Sequence, residues 1–204
     1  MFNEKDFEDI RPYYDDEINP ALKRIISNPA FDKIMDFFFP EADKNKIRDL
    51  LLKTESTYSF QKNFVYHLVQ SIISKSTEGV ICIGMEKLKP GNPYLFLSNH
   101  RDIVLDSAIL QALLVDAEHN TTEISFGDNL MINPFIIDLG KANRMFKVSR
   151  GGSSRQLFLN SQLLSAYIRH TIVDKRTSVW IAQRPGRTKN GNDRTETSLL
   201  KMLN

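Results

Sequence analysis

From Gly79 onward the chain alternates short, apolar, β-prone runs with longer segments of helical period, and this alternation confines it to an α/β layer fold. The apolar runs lie near Val80, at Tyr94–Leu97, Glu123–Phe126, Met145–Val148 and Ser178–Ala182. Helical patterns occupy Asp102–Leu114, Pro134–Leu139 and Arg155–His170. Runs this short and apolar suit strands covered on both faces, so the expectation is a mostly buried, mixed sheet flanked by helices. Before Gly79 the texture differs. Pro20–Phe39, Lys44–Lys53 and Phe60–Ile73 each carry a helical period, the first interrupted at Asn28-Pro29. Residues 1–78 are therefore read as an N-terminal helical region and residues 79–204 as the α/β domain.

The strand expected at Tyr94–Leu97 delivers Ser98-Asn99-His100-Arg101-Asp102 to the mouth of the next helix. Asp102 stands where an N-cap belongs, ahead of Ile103, Val104, Ala108, Ile109 and Leu110. His100 then occupies the strand-to-helix turn, where free amides favour negative charge. Asp106, about one turn beyond the cap, points back toward it. An imidazole with one nitrogen held by a carboxylate keeps a single tautomer and can take a proton from a hydroxyl at neutral pH.

The segment resembles the first motif of the glycerolipid acyltransferases, the glycerol-3-phosphate and 1-acylglycerol-3-phosphate acyltransferase-like enzymes, in which Asn-His precedes an aspartate by four residues. Here five residues separate His100 from Asp106. Either Asp106 fills the family role on a turn that absorbs the extra residue, or Asp102 does so from the cap. The stretch Gly79–Leu88 is similar to the strand and Gly-x-Glu-x-Leu sequence preceding this motif. Gly127-Asp128-Asn129-Leu130, Pro134, Gly140 and Met145–Arg150 follow the order of the second block. That resemblance makes Arg150 a ligand of the acceptor phosphate, with Gly151-Gly152-Ser153-Ser154 offering close backbone approach. The third block, Pro-Glu-Gly-Thr-Arg in the family, corresponds here to Arg184-Pro185-Gly186-Arg187-Thr188, with proline where the glutamate is expected. Gly186, Arg187 and Thr188 are the implied substrate-binding residues.

The resemblance implies acyl transfer from a thioester, acyl-CoA or acyl carrier protein as co-substrate with no bound cofactor, to a phosphorylated glycerol or lysolipid acceptor. His100 would be the general base and Asp106 its orienter, with amides near the start of the helix at Asp102 as candidates for oxyanion stabilisation. His100, Arg150 and Arg187 follow different strands and are expected to converge at their carboxyl ends. The family's last block has no counterpart before Asn204, so the domain is read as C-terminally incomplete. Pro185 and that missing block leave open a non-catalytic lipid- or acyl-carrier-binding homologue, or an inactive fragment. A phosphate-recognising hydrolase using the same histidine and arginines is a further alternative.

Composition narrows the partners. A formal net charge of +2 over 204 residues gives no footprint for nucleic acid. The single cysteine, Cys82, falls in the alternating run Val80–Ile83 and is expected to be a buried, reduced thiol; no Cys/His cluster suggests a metal. The charged N-terminus lacks the pattern of a signal peptide, and no apolar stretch is long enough to span a bilayer. A cytoplasmic protein, peripheral on the inner face of the membrane, is expected. Phe37-Phe38-Phe39, beside Lys33, Lys44 and Lys46, is a candidate membrane-facing wedge, with core packing as the alternative. His67, His119 and His170 have no partner motif and are read as structural or solvent-facing.

Overall fold

A computed structural model of the protein describes residues 2–203. The N-terminal part is helical, each helix beginning where local chemistry satisfies its free amides. α1 (Asp15–Ile26) opens with Asp15, Asp16 and Glu17, whose charges complement the helix dipole, and Glu17 accepts the Tyr14 N–H at 2.7 Å. It contains Pro20 on its exposed face and so begins earlier than the sequence pattern indicates. α2 (Pro29–Phe38) starts with proline in its first turn, behind Asn28, whose side chain accepts the Ala30 N–H. Asp43 caps α3 (Lys44–Leu52) in the same way. α4 (Thr57–Phe60) continues through a π-helical turn, Gln61–Val65, into α5 (Tyr66–Ser76).

The sheet follows. Its strands are β1 (Leu95–Ser98), β2 (Glu123–Gly127), β3 (Met145–Val148) and β4 (Val179–Ala182), in the spatial order β1-β4-β2-β3. All of these pairings are parallel, with Leu97 opposite Ile181 and Gly127 opposite Val148. Helices α6 (Leu105–Asp116), α7 (Pro134–Ala142) and α8 (Ser154–Val173) connect the strands, and α9 (Thr197–Leu203) follows β4. The α/β class, the flanking helices and the N-terminal helices thus agree with the sequence pattern.

Two cores hold the layers. Phe146, Val179 and Ile181 of the sheet pack against Leu164, Tyr167 and Ile168 of α8, with Phe7 and Ile10 closing one side. The second core joins Ile18, Leu22 and Ile25 of α1, Phe31 and Met35 of α2, Leu51, Phe60 and Phe64 to Phe135 and Ala142 of α7. Each such side chain contributes about 1.5–3 kcal/mol on burial. The N-terminal helices therefore share a core with a helix of the α/β unit. Buried Asp138 on α7 strengthens this junction, accepting Arg24 Nη2 at 2.7 Å and Tyr13 Oη at 2.6 Å. Desolvation and the neighbouring Asp138 carboxylate push the Tyr13 phenol up to about 12.

Two local expectations are overturned. Val80–Ile83 forms no strand: Ile81 and Ile83 are each 90% exposed, and Cys82 is exposed rather than buried. Gly79 (φ +137°) and Gly84 (φ +96°) bracket the run with backbone that L side chains rarely adopt, which breaks extended structure at both of its ends. The second concerns α6, which starts at Leu105 rather than Asp102. The Asp102 carboxylate accepts the N–H groups of Val104 and Leu105, both at 2.8 Å, and so closes a turn over residues 102–104 ahead of the helix.

Candidate active site

β1 ends at Ser98, and the six residues before α6 wrap around two carboxylates. Asp106, in the first turn of α6, reaches back with Oδ2 to the N–H groups of Arg101 (2.7 Å) and Asp102 (3.0 Å) and to Nδ1 of His100 (3.1 Å). The extra residue relative to the family spacing is taken up in this loop. Of the two carboxylates left open by the sequence, Asp106 is the one against the imidazole, while Asp102 caps the turn. Hydrogen bonds from Leu105 and Val104 hold the Asp102 carboxyl below its ordinary range, and the charge of Arg187 adds to this. With Nδ1–H directed to Asp106, Nε2 of His100 carries the lone pair. The imidazole is only 10% exposed, so this nitrogen has a narrow approach.

The same hydrogen bonds bear on the oxyanion question. The amides of Arg101, Asp102, Val104 and Leu105 are engaged by the two aspartates, so the group expected from the sequence to stabilise an oxyanion is already occupied.

The third block lies beside this loop because β4 is the neighbour of β1. Gly186 turns with φ +76°, Arg187 is exposed, and Thr188 is buried, donating its N–H to the His100 carbonyl at 2.8 Å. Arg150 follows β3, at the opposite edge of the sheet from β1. Its backbone N–H points between the two Asp128 oxygens at 3.3 Å each, and its side chain lies back over the end of β2. A Cβ at Gly127 would stand 2.6 Å from Asn129 Oδ1 and 2.9 Å from Arg150 Nε, so a larger residue there would displace both side chains.

Arg150, Arg184 and Pro185 border an open cavity of about 530 Å³ between the sheet and α8 and α9. Its deeper wall is apolar, with Val148, Ile181, Leu164, Leu199 and Met202, and Asp9 and Glu196 also contribute to the lining. His100, Asp102, Asp106, Arg187 and Thr188 thus gather at the ends of β1 and β4, whereas Arg150 faces the cavity from the far side of β2. Gln183 and Asp193, to which the sequence pattern gives no role, are interwoven with the histidine loop: Asp193 Oδ2 accepts the His100 N–H at 2.7 Å. A polar residue directly after the apolar run Val179–Ala182 was the available signal for Gln183.

The expected wedge is divided. Phe37 is 73% exposed, but Phe38 and Phe39 are half-buried and Phe39 packs against the N-terminal core. Among the described residues no helix is long and apolar enough to cross a membrane.

No curated protein matches the chain closely enough to be named as a relative. A family model described as Acyltransferase matches residues 79–198, more than half of the chain. The matched span runs from the Gly79–Leu88 stretch through the histidine loop, Arg150 and the third block to the first residues of α9, and it places the chain in the acyltransferase family.

Proposed function

We propose that the protein moves a fatty acyl group from a thioester, acyl-CoA or acyl carrier protein, to the hydroxyl of a glycerol-3-phosphate or lysophospholipid-type acceptor. The observation that carries this reading is the 3.1 Å contact between His100 Nδ1 and Asp106, at the carboxyl end of a parallel strand within the family-matched span. Nε2 of His100 removes the hydroxyl proton as that oxygen attacks the thioester carbon. Asp106 stabilises the imidazolium. Collapse of the tetrahedral intermediate breaks the carbon–sulfur bond, and the imidazolium returns the proton to the leaving sulfur. The overall exchange converts thioester and alcohol into ester and thiol.

Arg187, beside the histidine loop, holds the acceptor phosphate, and Arg150, which lies across β2 from it, joins only by swinging its long side chain toward the bound acceptor, a planar guanidinium being suited to two phosphate oxygens at once. Gly186 and Thr188 shape the turn that presents Arg187. The apolar wall below Arg150 supports an acceptor with hydrocarbon attached, and the exposed ring of Phe37 supports peripheral contact with the inner face of a membrane. This reading assigns the protein to phospholipid biosynthesis in the cytoplasm.

The test is incubation of the purified protein with an acyl-CoA and either glycerol-3-phosphate or a lysophosphatidate, following free thiol and acylated lipid together. Stoichiometric thiol and product, both lost in His100→Ala, are expected. Thiol release without acylated lipid would make the protein a hydrolase. Saturable lipid binding without any thiol release would instead support the non-catalytic homologue that Pro185 favours.

A further inference from the structure

Gln183, the first residue beyond β4, is buried, and each of its polar groups is engaged. Its N–H donates to the Ser98 carbonyl and its carbonyl accepts from Glu196 N–H, both at 2.9 Å. The side-chain amide donates to Asn99 Oδ1 at 2.9 Å and to the Asp193 carbonyl at 2.8 Å, while Oε1 accepts from Thr195 Oγ1 at 2.9 Å. Asp193 in turn accepts the His100 N–H at 2.7 Å, and Thr188 N–H donates to the His100 carbonyl at 2.8 Å. Both main-chain groups of His100 are therefore held by residues 188–193 and not by its own strand. The imidazole is pinned separately by Asp106.

From this chain of contacts we infer that Gln183 and Asp193 are positioning residues for His100, a conclusion that rests on His100 acting as the base. Gln183 ties residues 193–196 to Asn99, and Asp193 ties the same segment to the His100 amide. The segment is a strap that fixes the histidine loop from the neighbouring strand. Neither residue touches the reacting atoms. Their effect passes through the placement of Nε2, and a displacement of about 1 Å in such a group costs on the order of 100-fold in rate.

The chemistry of each side chain supplies the test. Gln183→Glu keeps the shape but has no N–H for Asn99 or the Asp193 carbonyl. Asp193→Ala removes the acceptor for His100, whereas Asp193→Asn retains one. Asp193 Oδ1 is buried without a hydrogen-bond partner among the described residues, so an amide nitrogen in its place breaks no existing bond. We expect Gln183→Glu and Asp193→Ala to lower kcat by about 10- to 100-fold with KM for the thioester nearly unchanged. Asp193→Asn should stay within about threefold of the parent, and the His100 amide should exchange with solvent at least about tenfold faster in Asp193→Ala.

Folded Gln183→Glu and Asp193→Ala proteins with the parent kcat would overturn the assignment. So would a fall in kcat with the exchange rate of His100 unchanged, since the histidine would then not depend on the strap, or exchange accelerated alike across the whole protein, which is the pattern of a general loss of stability. Should Asp193→Ala fail to fold, the same kcat and exchange measurements on Gln183→Glu decide. The exchange measurement needs no turnover: if the parent protein transfers no acyl group, that result refutes the function assigned to His100, while exchange still decides the strap, which accelerated exchange in the variants upholds and unchanged exchange refutes.

Discussion

At the amino ends of the strands, Glu123 is sealed from solvent and its carboxylate is taken up by the Tyr167 hydroxyl and the Lys175 ammonium, whereas at the carboxyl ends Arg150 and Arg187 stand exposed. The sealed end also contains Arg144, which donates to Thr121 Oγ1 at 3.0 Å, and Gln61, which bridges Thr121 to Asn143. Burial pushes the Arg144 guanidinium below its ordinary value and the Tyr167 phenol well above it. Polar groups there are spent on one another and fasten the N-terminal helices to the sheet. At the open end the carboxylates of Asp102 and Asp106 instead shape backbone around a histidine. Charge that is paired and buried holds the fold together, whereas Arg150 at the cavity rim and Arg187 beside the histidine loop are left exposed.

Substitutions at the two ends should separate activity from stability. The largest effect is expected from His100→Ala at the open end, a loss of about 1,000-fold or more in kcat with the melting temperature preserved, read by thiol release and thermal unfolding. Retained transfer in that variant would remove the histidine from the base role and dissolve the contrast. Next comes Lys175→Met at the sealed end. It strands the Glu123 carboxylate and should cost about 2–3 kcal/mol in urea unfolding while leaving kcat unchanged, Lys175 being partly exposed. A fall in kcat matching the fall in stability would show that the two ends are not independent.

Arg150→Lys is expected to raise KM for the phosphorylated acceptor by about tenfold, or about 1.4 kcal/mol, because an ammonium cannot reproduce the guanidinium fork. The smallest effect concerns Asp102. Its carboxyl is held low by the Leu105 and Val104 amides, so the native state binds fewer protons than the unfolded chain in the acid range. The stabilisation is fully present above the ordinary aspartate value of about 3.9 and is lost as pH falls through the lowered native value. Urea midpoints measured across that interval should decline more steeply for the parent than for Asp102→Asn.

Much of the sheet and the pairing of His100 with Asp106 was legible because both rest on local pattern. Tyr94–Leu97, Met145–Val148 and Ser178–Ala182 are short and mostly apolar, and each coincides with or overlaps a strand. Val80–Ile83 carries an equally good alternation and did not, since a strand also needs a partner and the positive-φ glycines at 79 and 84 break the extended backbone on both sides. The start of α6 was misplaced because Asp102 has two uses for the same oxygen, capping a helix or closing a turn, and only the position of Asp106 selects between them. Asp193 carries no local signal, and Gln183 only its place directly after an apolar run. Their partners lie 84 and 93 residues away, at Asn99 and His100, and no spacing rule reaches that far.

The unpaired run at Val80–Ile83 also makes the molecule addressable. Its only cysteine sits there in the open, so one maleimide probe would label a single defined position, and oxidised preparations would join two chains through the same sulfur unless a reductant is kept present. A fluorophore at Cys82 would then sense any event that draws this stretch out of water.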